Sequence, residues 1–224
     1  MGDHPSHLIT DLPMTEEFQT DRALVFDFGR VVFRWRPEAL VAAAIPHRAT
    51  DPEAVRHWVG QVFEAYDGDW GDFDRGVVEP PELARRIAAR TGLSEPEVAA
   101  IIAGCPAELV PLPDTVAWIR RWHAQGRPLH FLSNMPEPFA ANFERTHDFM
   151  QLFESGVFSA RVKLIKPDPA IFELAASVFR RPPAKLLFLD DHLPNIVAAR
   201  AAGWQAIHFV DAAQAEAEVS AMGW

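Results

Sequence analysis

Cysteine is almost absent from this chain, because Cys105 is the only one among its 224 residues. A single cysteine cannot form an internal disulfide, so a fold held by internal disulfides is excluded. The default is a reducing compartment, and we expect a cytoplasmic protein. No base stands near Cys105 in sequence, and we interpret it as a small apolar residue of a helix core.

Long hydrophobic runs are also missing. The longest apolar stretches are far too short to span a bilayer, so no contact with a membrane is expected. Residues 1–20 contain no apolar core, and their acidic residues are Asp3, Asp11, Glu16 and Glu17. We therefore expect a loose tail there and no signal peptide.

Positive charge is in short supply. The chain has 21 lysines and arginines against 31 aspartates and glutamates, which gives a formal net charge of −10. This balance argues against general binding to nucleic acid and against an anionic membrane surface. It does not exclude a small anionic substrate, because a bound divalent cation inverts the local field.

What the sequence does contain is a pair of apolar runs that end in carboxylates. Leu24–Phe26 leads into Asp27, and Leu186–Leu189 leads into Asp190 and Asp191. If both runs are parallel strands, their acidic ends meet at the carboxyl edge of one sheet, where ligands bind in open α/β folds. An acidic cluster at the end of buried strands is unfavourable unless a cation meets it.

Strand and helix patterns alternate along most of the chain, which predicts an α/β fold with a doubly wound parallel sheet. The predicted strands are 23–28, 129–132, 156–160, 186–189 and 206–210. The predicted helices of the second half are 114–125, 136–146, 168–179, 194–202 and a last one that Asp211 caps and that runs to Ala221.

Residues 37–105 break this alternation, because they show helical patterns and no clear strand. Ser94 and Glu97 have the spacing of a capping box at the start of one of these helices. We predict a small inserted helical cap at 37–105 and a core domain formed by 21–36 and 106–224.

Four segments stand in a characteristic order: Val25–Gly29, Phe131–Asn134, Lys166–Pro169, and Leu189–Asp191 followed by Asn195. Together they resemble the motifs of the haloacid dehalogenase-like (HAD) hydrolase superfamily, over roughly residues 22 to 210. The form of the last motif is most similar to glucose-1-phosphate phosphatase-like members and to the phosphatase domain of soluble epoxide hydrolases. The resemblance implies a Rossmann-like core with a helical cap.

The resemblance also implies roles for particular residues. Asp27 would be the nucleophile and a metal ligand, Ser133 would donate to a phosphate oxygen, and Lys166 would neutralise charge. Asn134 would assist at the phosphate or fix its loop, and Asn195 would orient Asp191 or close the floor of the site. The implied Mg²⁺ would be held by Asp27, the carbonyl of Gly29 and Asp191, with Asp190 acting through water or hydrogen bonds. Lys163 competes with Lys166 for the lysine position.

One departure from the pattern stands at Gly29. Most phosphatases of the superfamily carry a second aspartate there, which protonates the leaving group and later activates water. Three explanations stay open: a carboxylate of the cap replaces it, the leaving group needs little protonation, or the chain is a weak relative. The cap candidates are Asp67, Asp69, Asp72 and Asp74.

The acidic and aromatic segment 63–74 is our candidate for substrate recognition. Trp70 and Phe73 would stack on a sugar face, and the aspartates of the segment, Asp69 among them, would accept its hydroxyls. The predicted function is Mg²⁺-dependent hydrolysis of a small phosphorylated metabolite, with a sugar phosphate as one option, through an aspartyl-phosphate. The alternatives are a metal-independent 2-haloacid dehalogenase and a catalytically weak phosphate-binding relative. We expect no nucleic-acid or membrane partner, and a monomer or homodimer.

Overall fold

A five-stranded sheet, with every neighbouring pair parallel, organises residues 22–224, the part of the chain that the computed structural model describes. Its strands are β1 (Ala23–Phe26), β2 (Leu129–Ser133), β3 (Ser155–Phe158), β4 (Leu186–Asp190) and β5 (Gln205–His208). The spatial order is β3-β2-β1-β4-β5. The predicted α/β fold with a doubly wound parallel sheet is confirmed, and the predicted tail at 1–20 lies outside the described residues.

Strand β1 lies at the centre of the sheet because its side chains are apolar on both faces. Leu24 and Phe26 belong to one buried cluster, whereas Ala23 and Val25 belong to another. Such two-sided burial is typical of a parallel strand covered by helices on both sides. The strand order reverses between β1 and β4, which is where open α/β folds form their ligand crevice.

Residues 37–108, which follow β1, contain five α-helices. They are α1 (Pro37–Ala44), α2 (Pro52–Phe63), α3 (Gly68–Asp74), α4 (Pro80–Thr91) and α5 (Glu95–Glu108). Proline at the first turn of α1, α2 and α4 presets the helical φ. The capping box predicted at Ser94 and Glu97 starts α5, with both of its hydrogen bonds formed.

Six further helices belong to the second half of the chain. They are α6 (Pro113–Ala124), α7 (Glu137–Thr146), α8 (Ser159–Val162), α9 (Pro169–Phe179), α10 (Leu193–Ala201) and α11 (Ala212–Ala221). The five helices predicted there agree with α6, α7, α9, α10 and α11 to within one residue at each end. Among residues 22–224, no helix is long and apolar enough to cross a membrane.

Three predicted strand ends were wrong. β1 stops at Phe26 instead of Phe28, because the Phe28 carbonyl accepts the N–H groups of Val31, Val32 and Phe33 and the chain turns there. β3 stops at Phe158, since the Ser159 carbonyl accepts the N–H of Lys163 (2.9 Å) and opens α8. β5 covers Gln205–His208, two residues short of the predicted end.

Aromatic rings fill the larger of the two buried clusters. The Phe28 ring contacts Phe33, Phe131, Phe143 and Phe158, with centroid distances of 4.8–5.9 Å. Cys105 is fully buried in the same cluster, as predicted. Apolar residues of α1–α5 share this cluster with one face of the sheet, so one continuous apolar core joins the inserted helices to the strands.

A close approach in β3 gives a test of this packing. A methyl group on Gly156 would lie 2.0 Å from Phe131 Cε1, inside a crowded aromatic cluster. We expect Gly156→Ala to destabilise the fold by about 1–3 kcal/mol through overpacking. The measurement is the melting temperature. Gly60→Ala is the control, since a methyl there meets no atom within 4 Å, and equal melting temperatures for the two variants would contradict the packing described.

Candidate active site

Three carboxylates meet at the carboxyl edge of the sheet. Asp27 follows β1, Asp190 ends β4, and Asp191 is the next residue. Each offers a ligand oxygen, and these oxygens lie within 4.8 Å of one another. The register explains the convergence, because Phe26 of β1 pairs with Leu189 of β4 and places the following residues side by side.

A buried lysine lies between two of these carboxylates. Lys166 Nζ is 2.8 Å from Asp27 Oδ1 and 2.7 Å from Asp190 Oδ2, and the residue is 3% exposed. Burial lowers the pKa of Lys166, but the attraction of Asp190 and Asp27 outweighs it and leaves the pKa above its ordinary value. The ammonium therefore stays charged. Lys163, the competing candidate, instead donates to the carbonyl of Gly76.

Asn134 holds the loop that carries this lysine. Its Nδ2 donates to the Lys166 carbonyl (3.0 Å), and the Lys166 N–H donates to Asn134 Oδ1 (2.8 Å). Asn134 also lines the cavity described below. Its amide group is committed to the backbone of Lys166, so the geometry favours fixing the loop, which is one of the two roles expected for it.

Asp190 is fully buried and uses both oxygens for hydrogen bonds. The His192 N–H donates to Oδ1 (2.7 Å), and Asn195 Nδ2 lies 3.1 and 3.0 Å from the two oxygens. Together with Lys166, these donors leave Asp190 suited to positioning rather than direct metal ligation. Of the two roles expected for Asn195, the orientation of Asp191 was wrong, because its amide donates to Asp190. Its place in the cavity wall agrees with the other role, closing the floor of the site.

Asp191 is the more open carboxylate. Its side chain is 27% exposed and lies 3.9 Å from the guanidinium of Arg30, which is half-exposed. Burial and then repulsion from Asp190 raise the pKa of Asp191, against the attraction of Arg30 and Lys166. Sequence reasoning gave Arg30 no role at the site. Its left-handed backbone (φ 59°) in the turn after β1 allows it to lie beside Asp191.

Asp27 lies in the same field. Burial, opposed by Lys166 and reinforced by Asp190 and Asp191, raises the pKa of Asp27 to about 7. A buried carboxylate with acidic neighbours favours a cation beside it. The available ligand atoms are carboxylate oxygens, which Mg²⁺ prefers. The single positive charge of Lys166 does not balance the three carboxylates, so the residues fit a bound Mg²⁺. Asp27 and Asp191 would hold the ion, with the carbonyl of Gly29, which also lines the cavity.

Ser133 ends β2 and is 1% exposed. Its hydroxyl has no hydrogen-bond partner within the described part of the chain. A buried hydroxyl without a partner is rare, because the loss of water is uncompensated. The group is therefore free to donate to an incoming anion, as the predicted phosphate role requires.

A cavity of about 460 Å³ opens onto Asp27, Lys166 and Asp191. Most of its wall away from these residues is apolar, formed by Trp35, Tyr66, Trp70, Leu109, Met135, Phe139 and Ile165. Trp35 Nε1 donates to Tyr66 Oη (2.6 Å), which ties two of the rings together. A single sequence offered no signal for most of these residues, since they come from five separate segments.

Two residues expected to recognise a substrate do not line this cavity. Asp69 of α3 pairs with Arg90 (3.3 Å) and with Arg86 (4.0 Å) of α4, so its charge is already balanced away from the cavity. Phe73 is 1% exposed and packs edge-on against Trp70 and Phe139. Trp70 does line the cavity, but it is largely buried and packs against Phe63 and Phe73.

Of the four cap carboxylates considered as the missing acid, Asp74 has the most unusual surroundings. It ends α3, lines the cavity and is 5% exposed, and no other residue of 22–224 donates a hydrogen bond to its carboxyl or forms an ion pair with it. Burial raises the pKa of Asp74 to about 8, opposed by the attraction of Lys166 and reinforced by repulsion from Asp27. Asp72 pairs with Arg75 and Arg86, and Asp67 is exposed.

A family model described as haloacid dehalogenase-like hydrolase matches residues 16–203. The chain belongs to this family. The resemblance drawn from the four motifs is thereby confirmed, and the protein is an enzyme of the HAD hydrolases.

Relatives of this HAD hydrolase include phosphatases. It is 27% identical over 192 residues to a sesquiterpene phosphatase of Aspergillus oryzae, covering 86% of this chain and 91% of that one. It is also 27% identical over 162 residues to a phosphoglycolate phosphatase of Pseudomonas putida, of which it spans only 55%. A HAD family enzyme of Bacteroides thetaiotaomicron, solved with magnesium and inorganic phosphate, shares the fold with a TM-score of 0.64 at 19% identity, covering 84% of this chain and 93% of that one.

The protonation of Asp74 has a consequence for stability. Its folded pKa of about 8 is above the ordinary value of 3.8, so the unfolded chain loses this proton first as pH rises, and stability falls between these two values. Asp74→Asn removes this pH-dependent loss of stability, because an amide does not titrate, and it keeps the shape of the side chain. We expect the variant to gain melting temperature relative to the unaltered protein as pH rises from 5 to 8, by several degrees.

Differential scanning calorimetry of the two proteins across this pH range measures the effect. Asp72→Asn is the matched control, because it removes a carboxylate of the same helix that is already paired with arginines. A difference between Asp74→Asn and the unaltered protein that stays constant with pH would contradict a raised pKa at Asp74.

Proposed function

We propose that this HAD hydrolase is a Mg²⁺-dependent phosphatase that forms an aspartyl-phosphate on Asp27. The observation that carries the proposal is the buried Lys166 held between Asp27 and Asp190, with the open carboxylate Asp191 beside them. This arrangement presents a nucleophile, a fixed positive charge and an oxygen-rich metal position at one point of the cavity wall.

Each residue then has a chemical task. Asp27 attacks phosphorus, and water later hydrolyses the resulting acyl phosphate. Lys166 holds the nucleophile and offsets the charge of the phosphoryl oxygens, while Ser133 donates to one of them. When bound, Mg²⁺ supplies positive charge that offsets the repulsion between Asp27, Asp191 and the phosphate. Asp190, Asn195 and Asn134 keep the lysine in place.

The two alternative functions have less support. A 2-haloacid dehalogenase works without a metal, and the clustered carboxylates would then repel its anionic substrate. A purely phosphate-binding protein would not need a buried carboxylate paired with lysine at the nucleophile position. The phosphatase relatives favour phosphate chemistry as well.

The cavity wall also bears on the organic part of the substrate. A sugar needs polar partners for its hydroxyls, but the wall away from the reacting groups is mainly aromatic and aliphatic. A volume of about 460 Å³ falls within the usual range for small-molecule sites. Together with the likeness to a sesquiterpene phosphatase, this favours the phosphate monoester of an apolar alcohol over a sugar phosphate.

The experiment is phosphate release from a panel that contains farnesyl phosphate, phenyl phosphate and glucose 1-phosphate, each with Mg²⁺ and with EDTA. We expect Mg²⁺-dependent release, with the apolar esters preferred in kcat/KM. Release in EDTA at an unchanged rate would contradict the metal requirement. A preference for the sugar phosphate would overturn the apolar specificity but leave the phosphatase proposal standing.

Replacement of the nucleophile gives a second prediction. Asp27→Asn keeps the side-chain shape but cannot form the acyl phosphate, so we expect kcat to fall by about 10³-fold or more. The measurement is phosphate release at saturating substrate and Mg²⁺. Asp148→Asn, an exposed carboxylate paired with Arg120, serves as the control and is expected to keep full activity. A wild-type rate in Asp27→Asn would exclude the aspartyl-phosphate.

The metal position gives a third prediction. Asp191→Asn removes the open carboxylate that faces the proposed Mg²⁺ and is expected to raise the Mg²⁺ concentration for half-maximal activity by at least about 10–100-fold. Titration of activity with Mg²⁺ measures this shift, with the same Asp148→Asn control. An unaltered Mg²⁺ response would move the ligand role away from Asp191.

A further inference from the structure

The proposed reaction lacks a proton donor among the motif residues. Departure of an alkoxide from phosphorus is slow unless its oxygen is protonated, and Gly29 stands where the motif provides an acid. Space is not the reason for glycine at this position, because a Cβ built on Gly29 meets no atom within 4 Å in residues 22–224. For the ester of an unactivated alcohol, a proton donor would then have to lie in another wall of the cavity.

Asp74 is the group in that wall with suitable chemistry. It lines the same cavity as Asp27 and Lys166 and interacts electrostatically with both. The residue is 5% exposed, and its carboxyl receives no hydrogen bond from any other described residue. Burial without a donor or a salt-bridge partner disfavours the charged carboxylate and favours the protonated form, which is the form a general acid needs.

The backbone around Asp74 is anchored to the elements that carry the site. The Ser159 hydroxyl, fully buried at the start of α8, donates to the Asp74 carbonyl and accepts the N–H of Met135 (2.8 Å). Met135 directly follows Asn134, which holds Lys166. Two residues beyond Asp74, the carbonyl of Gly76 accepts a hydrogen bond from Lys163. The end of α3 is thus fixed to both loops beside the nucleophile.

We propose that Asp74, on helix α3 of the inserted helical block, is the general acid and base of this enzyme and replaces the aspartate that the motif lacks at Gly29. The assignment rests on the proposed phosphatase function. Tyr66 also lines the cavity, but burial raises the pKa of its hydroxyl to about 12, above that of Asp74. Asp67 is exposed and caps α3, so it lacks the buried environment.

In the first step, an oxygen of Asp27 forms a bond to phosphorus as the bond between phosphorus and the alcohol oxygen breaks. The Asp74 carboxyl gives its proton to that oxygen, and the neutral alcohol leaves. In the second step, water attacks phosphorus and passes a proton to the Asp74 carboxylate, while the bond to Asp27 breaks. Inorganic phosphate departs, and both aspartates return to their starting forms.

The experiment compares the unaltered enzyme with Asp74→Asn on 4-nitrophenyl, phenyl and farnesyl phosphates, whose leaving groups need increasing help from an acid. The readout is kcat/KM, since it reports the step in which the leaving group departs. We expect Asp74→Asn to lose about 10²–10⁴-fold on farnesyl phosphate and far less on 4-nitrophenyl phosphate. Asp72→Asn, two residues earlier on the same helix, is expected to match the unaltered enzyme throughout.

The outcomes separate the two proposals. Equal losses on all three esters, or no loss on any, would overturn the role of Asp74 while leaving the phosphatase function intact. No phosphate release by the unaltered enzyme from any ester would overturn the proposed function, and this role with it. Asp74→Ser, which removes the acid with a smaller side chain, is expected to reproduce the dependence on the leaving group if Asp74→Asn folds poorly.

Discussion

The site depends on one buried cation. Lys166 bridges Asp27 and Asp190 at the carboxyl edge of the sheet, and without it both strand ends would bring uncompensated negative charge into the protein interior. Other polar contacts of the site serve this bridge. Asn195 and the His192 N–H hold Asp190, and Asn134 holds the backbone of Lys166. The lysine thus fixes Asp27, the proposed nucleophile, and brings a positive charge to the cavity.

The inserted helices contribute both to the apolar core and to the wall of the cavity at the carboxyl edge of the sheet. Their apolar residues share the aromatic cluster that packs on one face of the sheet, and they supply the cavity residues Tyr66, Trp70 and Leu109. Residues 64–66 adopt left-handed backbone conformations, with φ between 46° and 66°, which non-glycine residues rarely hold. This strained turn precedes α3 and places Tyr66 in the cavity wall. The wall there is aromatic, whereas the floor of the site is charged.

Much of the fold was readable from the sequence, and so was the set of residues at the floor of the site. Buried parallel strands leave near-continuous apolar runs, so the runs before Asp27 and Asp190 stood out. The capping box at Ser94 and the cap at Asp211 marked the starts of two helices. Strand ends were less reliable, because the turn after Phe26 and the start of α8 depend on hydrogen bonds to the carbonyls of Phe28 and Ser159. The pattern of apolar residues in the sequence does not predict these hydrogen bonds.

By itself, the sequence determined the sheet, the order of the motifs and the convergence of Asp27, Asp190 and Asp191, because parallel strands must end at a common edge. The place of Lys166 beside them was implied by the resemblance to the family. Tertiary structure decided what surrounds them. In the folded chain, Asp69 forms ion pairs with arginines and Phe73 is buried in the core. Asn195 donates a hydrogen bond to Asp190, and Arg30 lies beside Asp191. Asp74 is buried in the cavity wall. The physical reason is that burial and pairing of a side chain depend on residues distant in the chain, and no local pattern encodes them.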